Sequence, residues 1–92
     1  MIRSFRHKGL GRLFEEDDAR GVQAEHARKL RNILARLESA RTAADMDIPG
    51  FRLHQLKGEY AGFWAVTVRA NWRVIFRFSD LGASDVDYVD YH

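Results

Sequence analysis

The apolar positions of this chain change their spacing near residue 50. Before it they recur at helical intervals, and after it they alternate as in half-buried strands. Residues 2–5 read as a short first strand. Residues 7–17 predict a first helix with Leu10, Leu13 and Phe14 on one face, and Gly21 breaks the pattern. A second helix is expected from about residue 24 to residue 40. There Ala27, Leu30, Ile33, Leu34 and Leu37 form one stripe, and Arg28, Lys29, Arg31 and Arg36 lie off it. Thr42 to Asp45 resembles a small capping box, and Pro49-Gly50 closes the helical half.

Beyond residue 50, segments 51–56, 63–69, 72–78 and 84–91 predict strands. In the third, Trp72, Val74, Phe76 and Phe78 point one way, while Arg73, Ile75 and Arg77 point the other. Asn71 is expected in the tight turn before it, in a left-handed conformation that asparagine tolerates. Gly58 and Gly62 bracket the preceding hairpin. The fold class is therefore α+β, with a two-helix hairpin on one face of a mostly antiparallel sheet of four to five strands.

Ninety-two residues suit a single domain, 1–92. A chain of that size buries about 60–65% of the surface its unfolded form exposes. A shallow surface site is expected rather than an engulfed ligand. There are no cysteines, which excludes disulfides and thiolate zinc sites and fits a reducing cytoplasm. No apolar stretch is long enough to span a membrane, and residues 1–6 hold no signal core. The net charge of +2 is unevenly spread: residues 1–41 carry +4 and residues 42–92 carry −2. The basic half fits either a polyanion partner or a solvated helical surface.

The chemistry-bearing residues gather at two places. His54 lies in the segment 52–58, and the chain ends on Asp90-Tyr91-His92 among strand-forming residues. A docked end would bring a carboxylate, a phenol and an imidazole together, groups that move protons near neutral pH. Strand parity groups Asp90 with His92 and points Tyr91 the opposite way. If the helices cover one sheet face, the other is expected to gather His54, Lys57, Arg73, Asp90, Tyr91 and His92. Two imidazoles suit one proton removed and one delivered. Lys57 and Arg73 supply positive charge where a phosphorane builds negative charge. No serine or cysteine nucleophile stands near a histidine, so the nucleophile belongs on the substrate. RNA carries one in its 2′-hydroxyl, and its attack needs neither metal nor cofactor.

Each residue also has a plain structural explanation. A strand histidine is commonly structural, and a terminal one is commonly solvated. His7 and His26 read as surface residues on or near helices. Arg73 and Arg77 can simply discourage strand-edge association. Trp64 and Trp72 read as packing residues. Asn71 is most simply a turn residue, although its amide can read an adenine edge. No tight ligand spacing points to a metal.

Taken in order, several landmarks carry a resemblance that runs nearly end to end. They are Ile2-Arg3-Ser4-Phe5-Arg6-His7-Lys8-Gly9-Leu10, Leu13-Phe14, Leu53-His54-Gln55-Leu56-Lys57-Gly58, Trp64-Ala65-Val66-Thr67-Val68, Asn71-Trp72-Arg73-Val74 with Phe76 and Phe78, and Asp87-Tyr88-Val89-Asp90-Tyr91-His92. The chain resembles the HigB-type toxins of bacterial toxin–antitoxin pairs, within the RelE/ParE superfamily. The resemblance implies a RelE-like microbial ribonuclease fold and a ribosome-dependent endoribonuclease that cuts mRNA in the A site and inhibits translation. It implies a cytoplasmic protein held inactive by a HigA-type helix-turn-helix antitoxin, which reaches operator DNA on the toxin's behalf. Partners would be that antitoxin, the small ribosomal subunit and mRNA, with no membrane.

On the same resemblance the functional residues are His54, Asp90, Tyr91 and His92 as catalytic groups. Lys57, Asn71 and Arg73 are the RNA contacts. Gln55 replaces a proline common in relatives, which leaves the backbone beside His54 less restricted. Ala70 stands where glycine is common. The rival readings are a ParE-like gyrase inhibitor that acts by binding, and a catalytically inert antitoxin-binding relative. The paired histidines argue against the first. Because His92 would carry the terminal carboxylate, a C-terminal extension is expected to impair cleavage.

Overall fold

The computed structural model describes residues 1–91. Helix α1 spans Lys8–Glu16 and helix α2 spans Ala27–Ser39, with a 3-10 turn, Ala24–His26, leading into α2. Four strands follow: β1, His54–Gln55; β2, Trp64–Arg69; β3, Trp72–Ser79; and β4, Gly82–Asp90. They form one antiparallel sheet in chain order.

The helical stripe packs as its spacing predicts. Leu10, Leu13, Leu30, Ile33, Leu34 and Leu37 are buried against Val66, Val74, Phe76, Val86 and Tyr88. Several ends are set locally. His7 caps α1, its Nδ1 accepting from the Leu10 N–H at 3.0 Å. Asp17 ends that helix in a left-handed conformation (φ 54). The capping box at Thr42 and Asp45 forms as read. The N–H groups of Arg41 and Thr42 hold the Asp45 carboxyl below its ordinary value.

Four expectations need correction. Segment 2–5 is not a full strand: it touches β4 through two parallel bridges, Ile2 to Ala83 and Phe5 to Val86. Segment 51–56 pairs only at His54 and Gln55, because Arg52 turns left-handed (φ 52) and breaks the extended run. Ala70, not Asn71, takes the left-handed position of the β2–β3 turn (φ 49). His26 is no surface residue: it is 4% exposed, and its Nδ1 meets the Tyr88 hydroxyl under the sheet.

Gly9 is needed where α1 meets the loop after it. A Cβ there would stand 2.3 Å from the Gly21 carbonyl oxygen, which is backbone and cannot swing aside. Gly9→Ala gains about 1 kcal/mol of helix propensity but costs about 1–3 kcal/mol in overpacking. The substitution is expected to lower the urea midpoint. An unchanged midpoint would show that the loop at Gly21 yields freely.

Candidate active site on the helix-free sheet face

Residues paired across antiparallel strands share a face. The helix-free face can therefore be read rung by rung. His54 pairs with Ala65, Ala65 with Ile75, and Ile75 with Asp87. The next rung holds Thr67, Arg73 and Val89. This face is not bare. Leu56, Phe63, Ala65 and Ile75 form a second, smaller buried cluster, with Tyr60, Val89 and Tyr91 packed against it. The segment between β1 and β2, including a 3-10 turn at Gly58–Tyr60, supplies its outer wall. Polar groups sit around this cluster rather than across an open sheet.

His54 lies exposed on the two-residue edge strand. Its Nδ1 is 2.9 Å from the Arg52 carbonyl oxygen. A carbonyl can only accept, so Nδ1 carries the hydrogen and Nε2 keeps the lone pair of the neutral ring. The left-handed turn at Arg52 is what aims that carbonyl back at the ring. The backbone is tied in by the Thr67 N–H, which donates to the Phe51 carbonyl at 2.7 Å. Lys57 is exposed two residues beyond β1, just ahead of the 3-10 turn.

Arg73 is half-buried. Its Nη1 donates to the carbonyls of Ala70 (2.6 Å) and Trp72 (3.0 Å), so the guanidinium is fixed over the β2–β3 turn. Its Nε is buried without a hydrogen-bond partner among the described residues. The same turn anchors the end of the chain: the Tyr91 N–H donates to the Asn71 carbonyl at 2.8 Å. Asn71 is exposed, and its main chain, rather than its amide, makes that contact.

The last residues divide between the faces. Tyr91 packs on the helix-free side, its ring 5.9 Å from that of Tyr60. Asp90 pairs with Trp72, whose ring lies 4.6 Å from Tyr88 and 5.8 Å from His26 on the helix side. Asp90 therefore leaves the strand on the opposite face from Tyr91. His92 lies outside the described residues. The structure thus brings His54, Arg73 and Tyr91 to one face, leaves Lys57 exposed on the loop after β1, and points Asp90 to the opposite face.

Sequence reasoning missed Tyr60, which reaches Tyr91 only because the 3-10 turn folds over the sheet. It also missed that His7, His26 and Tyr88 join Trp72 in a supporting layer. There the His7 ring meets Tyr88 edge-on at 5.3 Å, and burial pushes the Tyr88 phenol up from its ordinary value. The signal was the alternation of Val86 and Tyr88 with Asp85 and Asp87. Among the described residues no group of three or more His, Cys, Asp or Glu converges as a metal site. No helix among them is long and apolar enough to cross a membrane.

Comparison with known proteins bears on this arrangement. The model of a family described as HigB-like toxin, the RelE-like toxin of type II toxin–antitoxin system HigB, matches residues 3–92. The chain is also similar to the Endoribonuclease HigB of Proteus vulgaris. The two are 40% identical over 92 residues, which is 100% of each chain.

The Ala70 backbone gives a test of how the turn is built. A left-handed conformation costs a non-glycine residue about 1–2 kcal/mol, whereas glycine's extra unfolded-state freedom costs about 0.4–1 kcal/mol. Ala70→Gly is therefore expected to stabilise the fold by about 0.5–1 kcal/mol in urea unfolding. A lowered midpoint would mean that the Ala70 methyl packs usefully in the turn.

Proposed function

The chain belongs to the HigB-like toxin family of type II toxin–antitoxin systems, and from that premise we propose that it cuts mRNA on the ribosome by metal-independent attack of the RNA's own 2′-hydroxyl. It is an endoribonuclease toxin, and its family implies a cognate antitoxin. The finer reading has a HigA-type helix-turn-helix antitoxin as that partner, the small ribosomal subunit and A-site mRNA as the target, and the cytoplasm as the setting.

The observation that carries the mechanism is the orientation of His54. With Nδ1 donating to the Arg52 carbonyl, Nε2 is the atom that can accept a proton. His54 then takes the proton of the 2′-hydroxyl, and the 2′-oxygen attacks the adjacent phosphorus. The bond to the 5′-oxygen breaks, giving a 2′,3′-cyclic phosphate and a 5′-hydroxyl. His92 is proposed as the acid that protonates the departing 5′-oxygen. Asp90 keeps the role of charge support for His92, its neighbour two positions on.

Arg73 places a charge at a fixed point, because its guanidinium is already bonded to the turn. Such prepositioned charge stabilises a phosphorane without reorganising as the reaction proceeds. Lys57, exposed on the loop after β1, adds a mobile charge. Tyr91 and Tyr60 offer ring faces against which an unpaired base can stack. Asn71 lies at the rim, where its amide can meet a base edge.

The basic face of α2 is a weaker docking surface than its sequence implies. Arg31 is paired with Asp17 at 2.8 Å. Lys29 donates to the Gly50 carbonyl and lies over the Phe51 ring. Arg28 and Arg36 remain exposed and are proposed to meet ribosomal RNA.

The test is cleavage of a defined mRNA with and without programmed ribosomes by wild type, His54→Ala and His92→Ala. Cutting is expected only with ribosomes, and each variant should lose about 100-fold or more of the rate, the usual worth of a positioned acid or base. Cutting that survives His54→Ala would place the proton acceptor elsewhere. Growth arrest without RNA cutting would favour inhibition of gyrase.

A further inference from the structure

One rung beyond His54, on the side away from Arg73, the helix-free face carries a second cationic cluster that the mechanism does not use. Phe63 precedes β2 and is 2% exposed. Two guanidinium groups lie over its ring: that of Arg77 at 4.4 Å from the centroid and that of Arg6 at 5.0 Å. Both side chains stay half exposed, 47% for Arg77 and 48% for Arg6. They share one carboxylate, Asp85, at 3.4 Å from Arg77 Nε and 4.0 Å from Arg6 Nε. Two positive charges thus face one negative charge in a solvent-accessible place.

The cluster is built, not incidental. Gly62 (φ 92) leaves room for it, since a Cβ there would stand 2.9 Å from Arg77 Nη1. Asp85 sits at a β-bulge in β4, in a left-handed conformation (φ 52) that turns its carboxylate toward both arginines. Arg6 comes from a different part of the chain, held beside β4 by its N–H, which donates to the Val86 carbonyl at 2.8 Å.

Its position decides its use. Along β3 the helix-free face reads Arg73, Ile75, Arg77, and Ile75 belongs to the rung of His54. Each two-residue step is about 6.6–7 Å. The histidine's rung therefore lies midway between two fixed guanidinium positions about 13 Å apart. A single-stranded backbone laid along β3 would meet Arg73, pass the histidine's rung and reach Arg77 and Arg6. A track of fixed cations that follows the backbone is how single strands are held without sequence preference.

We infer that Arg6 and Arg77, seated on Phe63, form a second phosphate-binding subsite for RNA, engaging the strand on the side of the scissile bond opposite Arg73. This rests on the proposed location of the site around His54. Asp85 is then a competitor that an incoming phosphate displaces, besides holding the arginines in place. The two roles of Asp85 make opposite predictions. If the cluster only braces the fold, loss of the carboxylate weakens the protein and leaves RNA affinity unchanged. If it is a subsite, loss of the carboxylate tightens RNA binding.

The measurement is fluorescence anisotropy of a single-stranded RNA oligonucleotide with 2′-deoxy positions that block cleavage, across a series of salt concentrations. Arg6→Ala and Arg77→Ala are each expected to weaken binding and to reduce the salt slope by about 0.7, one phosphate contact on a single strand. Asp85→Asn keeps a residue that tolerates the left-handed bulge, and is expected to bind severalfold more tightly than wild type. Equal slopes in the arginine variants, unchanged affinity in Asp85→Asn, or no binding by wild type would each overturn the subsite. Failure of the catalytic reading would show in the cleavage assay, and failure of the subsite in the salt slopes of this binding assay.

Discussion

Everything on the helix-free face depends on the register of β3. Val74, Ile75 and Phe76 in that strand have no exposed surface. Burying them contributes roughly 1.5–3 kcal/mol each, together comparable with the whole net stability of a small domain, about 5–15 kcal/mol. A slip by one residue would move Trp72, Val74 and Phe76 to the helix-free face and turn Arg73 and Arg77 into the main core. No such state can compete, so the positions of both arginines follow from hydrophobic burial on the other side of the same strand. The site needs no separate scaffold: its charges are the alternate positions of the strand that makes the core.

That coupling explains how much the sequence disclosed. Alternation over 72–78 named the correct residues for each face, because the period of a central strand is enforced from both sides. The helical stripe was equally legible, and so was the capping box. The failures lie where one backbone angle changes direction. Arg52 and Asp85 are left-handed although neither is glycine; aspartate tolerates that conformation, but nothing marked where in the strand it would fall. Ala70 took the position that turn statistics assign to Asn71, because the turn's geometry puts the positive φ one residue earlier. His26 looked like a polar helix residue and proved buried, since its partner Tyr88 is 62 residues away. Long-range pairing of that kind leaves no local pattern.

The candidate residues were likewise legible in part. Their types were apparent from the sequence, and the supposition that one face gathers them held for His54, Arg73 and Tyr91, whereas Lys57 lies exposed on the loop after β1. Parity alone separated Tyr91 from Asp90, and the strand keeps that separation to its end: Asp90 pairs with Trp72 on the helix side, while Tyr91 packs against Tyr60. Hydrophobic contact drives this choice. Tyr91 joins a buried cluster, whereas an aspartate in its place would have to be desolvated among Leu56, Phe63 and Ile75. The second cluster was invisible beforehand because its outer wall is a loop, and loops carry no period.

The two sides of the site are held by different kinds of force. Arg73 and Arg77 stand on a strand with neighbours on both edges, so they move only if the sheet comes apart. His54 stands on a two-residue edge strand, held by a few hydrogen bonds, among them its own to Arg52, that of Thr67 to Phe51 and that of Leu56 to Phe63. Regions with few cooperative contacts open at far lower cost than the core. Phosphate placement is thus a global property of the fold, and proton placement a local one. Gln55 bears on the second alone: without the ring of a proline, the residue before it is free to leave the extended region. Substitutions at the exposed positions 52, 54, 55 and 57 should therefore alter catalysis with little effect on global stability. Those in β3 should alter both together, because that strand serves core and site through opposite faces.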